Sequence, residues 1–153
     1  MKASVTTIDR GAAALYKRIE EASKAKGFTV GIHEEDGGAS KGDGLTLVEV
    51  AEIHEFGLGN APARSFVGAF ADENEDKVTA DLRKLATAVV EGKVTAARGM
   101  DQLAARYGGL CQARIAAGIP PELAEVTVQR KGSSVPLIDT GQLRASIRGQ
   151  VVK

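Results

Sequence analysis

Between Thr46 and Phe66 the chain is punctuated so closely that few backbone paths remain open to it. Thr46 is followed three residues later by Glu49, a capping box, and Leu45 and Val50 stand where a hydrophobic staple needs them. The spacing predicts a helix from Thr46 to about Phe56, stopped by Gly57 in the left-handed conformation. The turn Gly57-Leu58-Gly59-Asn60-Ala61-Pro62 follows, in which Pro62 holds Ala61 extended. A short helix is expected to start near Ser65, which is itself a capping residue. Arg64 lies between Pro62 and Phe66, and two readings of it are open. It pairs with a carboxylate, for which Glu55 is the natural local candidate, or it lies over Phe66 with its charge in solvent.

The flanking sequence supplies the rest of an α+β domain. Leu15, Ile19 and Ala22 recur at a helical period over residues 9–26, with Asp9 placed to cap the start and Gly27 to stop it. Phe28-Thr29-Val30-Gly31-Ile32-His33 alternates, as a half-buried strand does. Residues 34–44 carry four glycines and read as a long loop, either mobile or ordered by a partner. The acids Asp72, Glu73, Glu75 and Asp76 precede Val78, Leu82, Leu85 and Val89, and suit the first turn of a further helix. After Gly92, the residues Met100, Leu103, Tyr107, Leu110, Cys111 and Ile115 form one apolar stripe ended by Gly118. Pro120-Pro121 opens a short helix to about Arg130, and residues 131–136 form a second loop. A last helix over about 140–147 and a closing strand from Arg148 to Lys153 complete one domain of 153 residues. The fold class expected is a small, mainly antiparallel sheet packed against several helices.

Few kinds of chemistry fit this composition. Twenty basic and twenty acidic side chains give zero formal charge, which disfavours a globally basic nucleic-acid binder. Aromatic residues are 4% of the chain, too sparse for base-stacking platforms. The single cysteine, Cys111, cannot form an internal disulfide and reads as a small buried apolar residue. No run approaches the roughly 18 apolar residues of a membrane span, and Met1 to Val5 lack the apolar core of a signal peptide, so synthesis and residence in a cytoplasm are expected. His33 and His54 are each followed by Glu but lack the fixed short spacing of metal ligands. The glycines at 37, 38, 42 and 44 are not followed by the Gly-Lys-Ser/Thr of a phosphate loop. No cofactor is expected.

The segment Leu137-Ile138-Asp139-Thr140-Gly141 resembles the active-site strand of retroviral-type aspartic proteases. Such an enzyme needs two aspartates sharing a proton and a long run of strands after the motif; twelve residues follow Gly141. The structural reading fits in more detail. Asp139 at the N-cap and Gln142 at the third helical position resemble a capping box, with Ile138 and Leu143 as the staple.

Taken in order, the strand Val30-Gly31-Ile32, a glycine-rich loop, Glu55-Phe56-Gly57, Pro62-Ala63-Arg64-Ser65-Phe66 and Asp139-Thr140-Gly141-Gln142-Leu143 resemble the small tail-component and virion-morphogenesis proteins of tailed bacteriophages. The resemblance covers roughly residues 28 to 150 and rests on order and spacing, because each motif alone is weak. The family's second motif usually has proline where this chain has Ser65, which loosens the turn but offers a helix cap. The resemblance implies a virion structural protein at the head–tail junction, or neck: a tail-completion or head–tail joining protein, with the tail terminator that caps the tube as the alternative. It implies a ring, commonly a hexamer, contacting portal-side connector proteins and tail tube or terminator proteins. Packaged DNA would pass through the channel without sequence-specific binding, and no membrane is involved. It implies no catalytic residues, and a role in the fold or in assembly for Glu55, Phe56, Gly57, Pro62, Arg64, Phe66, Asp139, Thr140, Gly141 and Leu143. The loops at 34–44 and 131–136 are the expected contacts with neighbours. Readings of other classes are a hydrolase using Asp139 and a small toxin-like or regulatory binding module.

Overall fold

The apolar stripe from Met100 to Ile115 lies on α5 (Ala96–Ala117), the helix around which the core is built. The computed structural model describes residues 10–38, 44–131, 137 and 141–152. The other elements are α1 (Ala12–Ser23), β1 (Gly27–Ile32), α2 (Glu34–Gly37), α3 (Leu47–Phe56), α4 (Gly68–Val90), α6 (Glu125–Lys131), α7 (Gln142–Ser146) and β2 (Ile147–Val152). The fold is α+β: a two-stranded antiparallel sheet packed against helices.

Met100, Ala104, Tyr107, Cys111 and Ile115 recur every three or four residues and therefore share one buried face of α5. Leu110 leaves the stripe and is exposed. Thr95 caps the helix by accepting the Arg98 amide at 3.3 Å. The sheet lies across that face. Phe28 pairs with Val151, Val30 with Gly149 and Ile32 with Ile147, so one side of each strand turns inward while Thr29, Arg148 and Gln150 stay exposed. Helix and strand approach closely where Gly108 meets Gly149: a Cβ at Gly108 would stand 2.5 Å from the Gly149 amide. Phe28 stacks on Tyr107 with ring centroids 5.7 Å apart. Tyr107 and Phe66 are each 1% exposed, and burying a side chain of this size contributes about 2–3 kcal/mol.

The sequence reading of a short helix near Ser65 followed by a separate further helix is corrected. A single 23-residue helix, α4, runs from Gly68 to Val90. The acids from Asp72 to Asp76 lie within it, past the first turn, so they do not supply the negative charge that a helix N-terminus attracts. Gly92, in the left-handed region at φ 74°, turns the chain back into α5. Across the resulting hairpin, Asp81 accepts from Arg106 at 2.7 Å and from the Tyr107 hydroxyl at 3.1 Å, and Glu73 pairs with Arg114.

Helix α1 is shorter than the 9–26 expected, with Gly11 rather than Asp9 in the cap position and Gly27 opening the strand instead of closing the helix. It lies against α4 and α5, yet none of its residues is buried, and Tyr16 and Ile19 remain exposed. Residues 34–37 of the expected long loop form the short α2, whose Glu35 and Asp36 pair with Arg148 of β2. Residues 39–43 of the first expected loop and 132–136 of the second lie outside the described residues.

Candidate functional site

The motif residues between Glu55 and Phe66 converge on one joint, the corner where α3 hands the chain to α4. Helix α3 forms as its caps dictate. The Thr46 hydroxyl accepts the Glu49 amide at 3.2 Å, and the Glu49 carboxylate accepts the Thr46 amide at 2.7 Å. The Thr46 amide and the Thr46 hydroxyl, both donating to it, hold the Glu49 carboxyl below its ordinary range. Val50 and Leu45 join the core, as the staple requires. At the other end Gly57 takes φ 69°, ψ 50°, and a Cβ there would stand 2.7 Å from the Ala63 amide. The position therefore excludes a side chain twice over, by conformation and by space.

Glu55 does not pair with Arg64. Its carboxylate sits over the start of α4 and accepts four hydrogen bonds, from the Ser65 hydroxyl at 2.6 Å and from the amides of Phe66, Val67 and Gly68 at 2.8, 3.1 and 2.9 Å. The Ser65 oxygen in turn accepts the Ala69 amide at 2.9 Å. A helix leaves its first amides without intrahelical acceptors and carries partial positive charge there, so a carboxylate borrowed from the preceding helix satisfies both demands. Burial pushes the Glu55 carboxyl up. The Ser65 hydroxyl and the amides of Val67, Gly68 and Phe66 outweigh it and hold the group below its ordinary value.

Arg64 is buried at 4% exposure, which overturns the reading with its charge in solvent, and it meets backbone carbonyls rather than Glu55. Its Nε donates to the Pro121 carbonyl at 2.8 Å and its Nη2 to the Glu122 carbonyl at 3.2 Å, tying the corner to the segment that follows α5. Burial lowers its pKa, but a guanidinium stays charged throughout the accessible range. The Arg64 amide donates to the His54 carbonyl at 2.6 Å, closing the turn that exposed Pro62 directs. Phe66 is fully buried, and its carbonyl accepts the Cys111 thiol at 3.6 Å. Burial pushes that thiol up to about 11, so it stays protonated and inert at neutral pH.

Phe56 is different from its neighbours in the motif. It is 68% exposed, and it borders a shallow apolar groove with Ile32, Val48 and Ala51; Leu58, 49% exposed, follows in the turn.

The second motif is described only in part. Leu143 is buried in the core with Leu137, and α7 packs against α3. Helix α7 begins at Gln142, with Gly141 at φ 80° in the cap position. That corrects the expected capping box, because Gln142 occupies the first helical position and not the third. Asp139 and Thr140 lie outside the described residues.

The His33 ring bonds the Thr29 hydroxyl at 2.9 Å, and no group of three metal-ligating side chains occurs among the described residues. No described helix is long and apolar enough to cross a membrane. Comparisons with protein-family models, with curated proteins and with solved structures return no match.

Proposed function

We propose that the chain is a virion structural protein of a tailed bacteriophage, a ring subunit at the neck that completes the tail and joins it to the head. The observation that carries this reading is the ordered set of motifs, together with how their residues divide. Glu55, Gly57, Arg64 and Phe66 turn inward and fix a rigid corner. Phe56, beside Val48 and Leu58, presents apolar surface on that corner. A ring needs a head-to-tail interface in which one patch meets a different patch on the next copy, and contiguous exposed apolar surface on a rigid support suits such a contact.

Sedimentation of the pure chain with and without purified tails tests the reading. Several copies bound per tail are expected; a single copy per tail contradicts a ring. A tail terminator is the nearest alternative, and deletion of the gene separates the two. Tails of normal length that fail to join heads are expected, whereas loss of length control points to the terminator. Asp139→Asn separates this reading from the hydrolase: virion assembly should stay intact in that variant, whereas a hydrolase would lose its activity.

A further inference from the structure

At the opposite end of α4 from Glu55, about 34 Å along a helix of this length, a second feature is left over by the assembly reading. There α1, the α4–α5 turn and the first turn of α5 border a half-open cavity of about 590 Å³. Arg18 enters it from α1 and Arg98 from α5. Neither side chain makes a hydrogen bond or ion pair among the described residues; Arg98 is exposed and Arg18 half-buried, with its Nε shielded from solvent. Buried donors are ordinarily satisfied, so an orphaned guanidinium N–H in a cavity calls for an acceptor supplied from outside. The Arg18 guanidinium lies against Gly92, whose left-handed backbone at φ 74° turns the chain there.

The surroundings favour an anion. Lys93 also lines the cavity, partly neutralised by Glu91 at 2.7 Å, and Glu21 is the one acidic lining residue. Thr95 takes the Arg98 amide, which leaves the first amides of α5, those of Ala96 and Ala97, without an intrahelical acceptor, and Ala96 lines the cavity. Two planar forks with a helix N-terminus behind them match the tetrahedral oxygens of a phosphate group.

We propose that this cavity binds the phosphate group of a small molecule, held by Arg18 and Arg98 over the N-terminus of α5. The phosphate is either free inorganic phosphate or a monoester such as a nucleotide.

Amide chemical-shift titration of the full chain tests this, with inorganic phosphate in one arm, adenosine 5′-monophosphate in a second and sodium chloride at matched ionic strength in a third. Phosphate should move Gly92, Thr95, Ala96 and Ala97 together and saturate with a Kd on the order of 1 mM or tighter. Tighter binding of the nucleotide identifies a monoester as the ligand, and equal binding identifies free phosphate. Arg98→Ala, at an exposed position that folding tolerates, should weaken binding about tenfold or more. Arg18→Lys keeps the charge but loses the fork and should fall between the two. No saturation below about 50 mM in either phosphate arm, equal shifts from chloride, or an unchanged Kd in Arg98→Ala would each overturn the proposal.

Discussion

Replacing Glu55 removes the acceptor that α4 borrows from α3, and the size of the loss follows from its partners. Four donors lie 2.6–3.1 Å from its carboxylate, three of them amides at the start of α4. A hydrogen bond to a charged group contributes about 1.5–3 kcal/mol, but the four share one carboxylate and do not add, and part of the group faces water. A lost helix cap costs about 0.5–2 kcal/mol, and a favourable charge at a helix start contributes up to about 2 kcal/mol. Glu55→Ala should therefore destabilise the fold by about 2–3 kcal/mol, a fall in Tm of roughly 4–12 °C at about 2–4 °C per kcal/mol. Glu55→Gln keeps one acceptor oxygen but loses the charge, and should cost about 1–2 kcal/mol. The pH dependence has a definite sign. The folded-state pKa of Glu55 lies below its unfolded value of about 4.3. Its stabilisation is full above the unfolded value and is lost as pH falls through the folded one. Urea titrations of wild type and Glu55→Gln at pH 7 and near pH 3 should show a deficit that shrinks in acid. A deficit that is equal at both pH values, or a Glu55→Gln variant as stable as wild type at pH 7, would refute the trans-capping argument.

Gly57→Ala places a Cβ at φ 69° and 2.7 Å from the Ala63 amide; the strain should cost about 1–3 kcal/mol in a denaturation midpoint. Arg64→Ala removes a buried side chain and its two charge-assisted bonds to the Pro121 and Glu122 carbonyls; because those two residues are exposed and water can replace the donor, it should cost about 2 kcal/mol; Arg64→Lys, with one point of contact, should recover only part of it. Cys111 is fully buried with its thiol pushed up to about 11, so a thiol reagent at pH 8 should label it only as fast as the protein unfolds. Rapid labelling of the native chain would place the thiol elsewhere.

Much of the fold was legible because its signals are local. The Thr46–Glu49 box, the Gly57 stop, the alternation at Phe28–Ile32 and the 3–4 spacing on α5 each need only a few neighbouring residues, and each appears where the sequence puts it. The errors share a different cause. Glu55 caps a helix that begins thirteen residues later, and Arg64 finds carbonyls 57 and 58 residues away. Neither distance leaves a periodic trace. The acids from Asp72 to Asp76 looked like a helix start because a first turn and a solvated helix face have the same composition. The break they implied is absent because Glu55, not the acids, serves the α4 N-terminus. Helix α1 shows the limit of periodicity as a guide to burial: it lies against α4 and α5, yet none of its residues is buried. The Arg18–Arg98 cavity had no sequence signal, since its two arginines lie eighty residues apart and belong to different helices.

Quantitative mass spectrometry of purified particles, from a phage carrying either the wild-type gene or Phe56→Asp, measures most directly whether the chain is a neck subunit that assembles through its exposed corner. Wild type should be present in a small, fixed copy number consistent with one ring per particle. Phe56→Asp, at a 68% exposed position, should fold normally and be missing from the particles, with tails left unjoined to heads. Particles that contain no wild-type chain, or that take up Phe56→Asp at the same copy number, would contradict it.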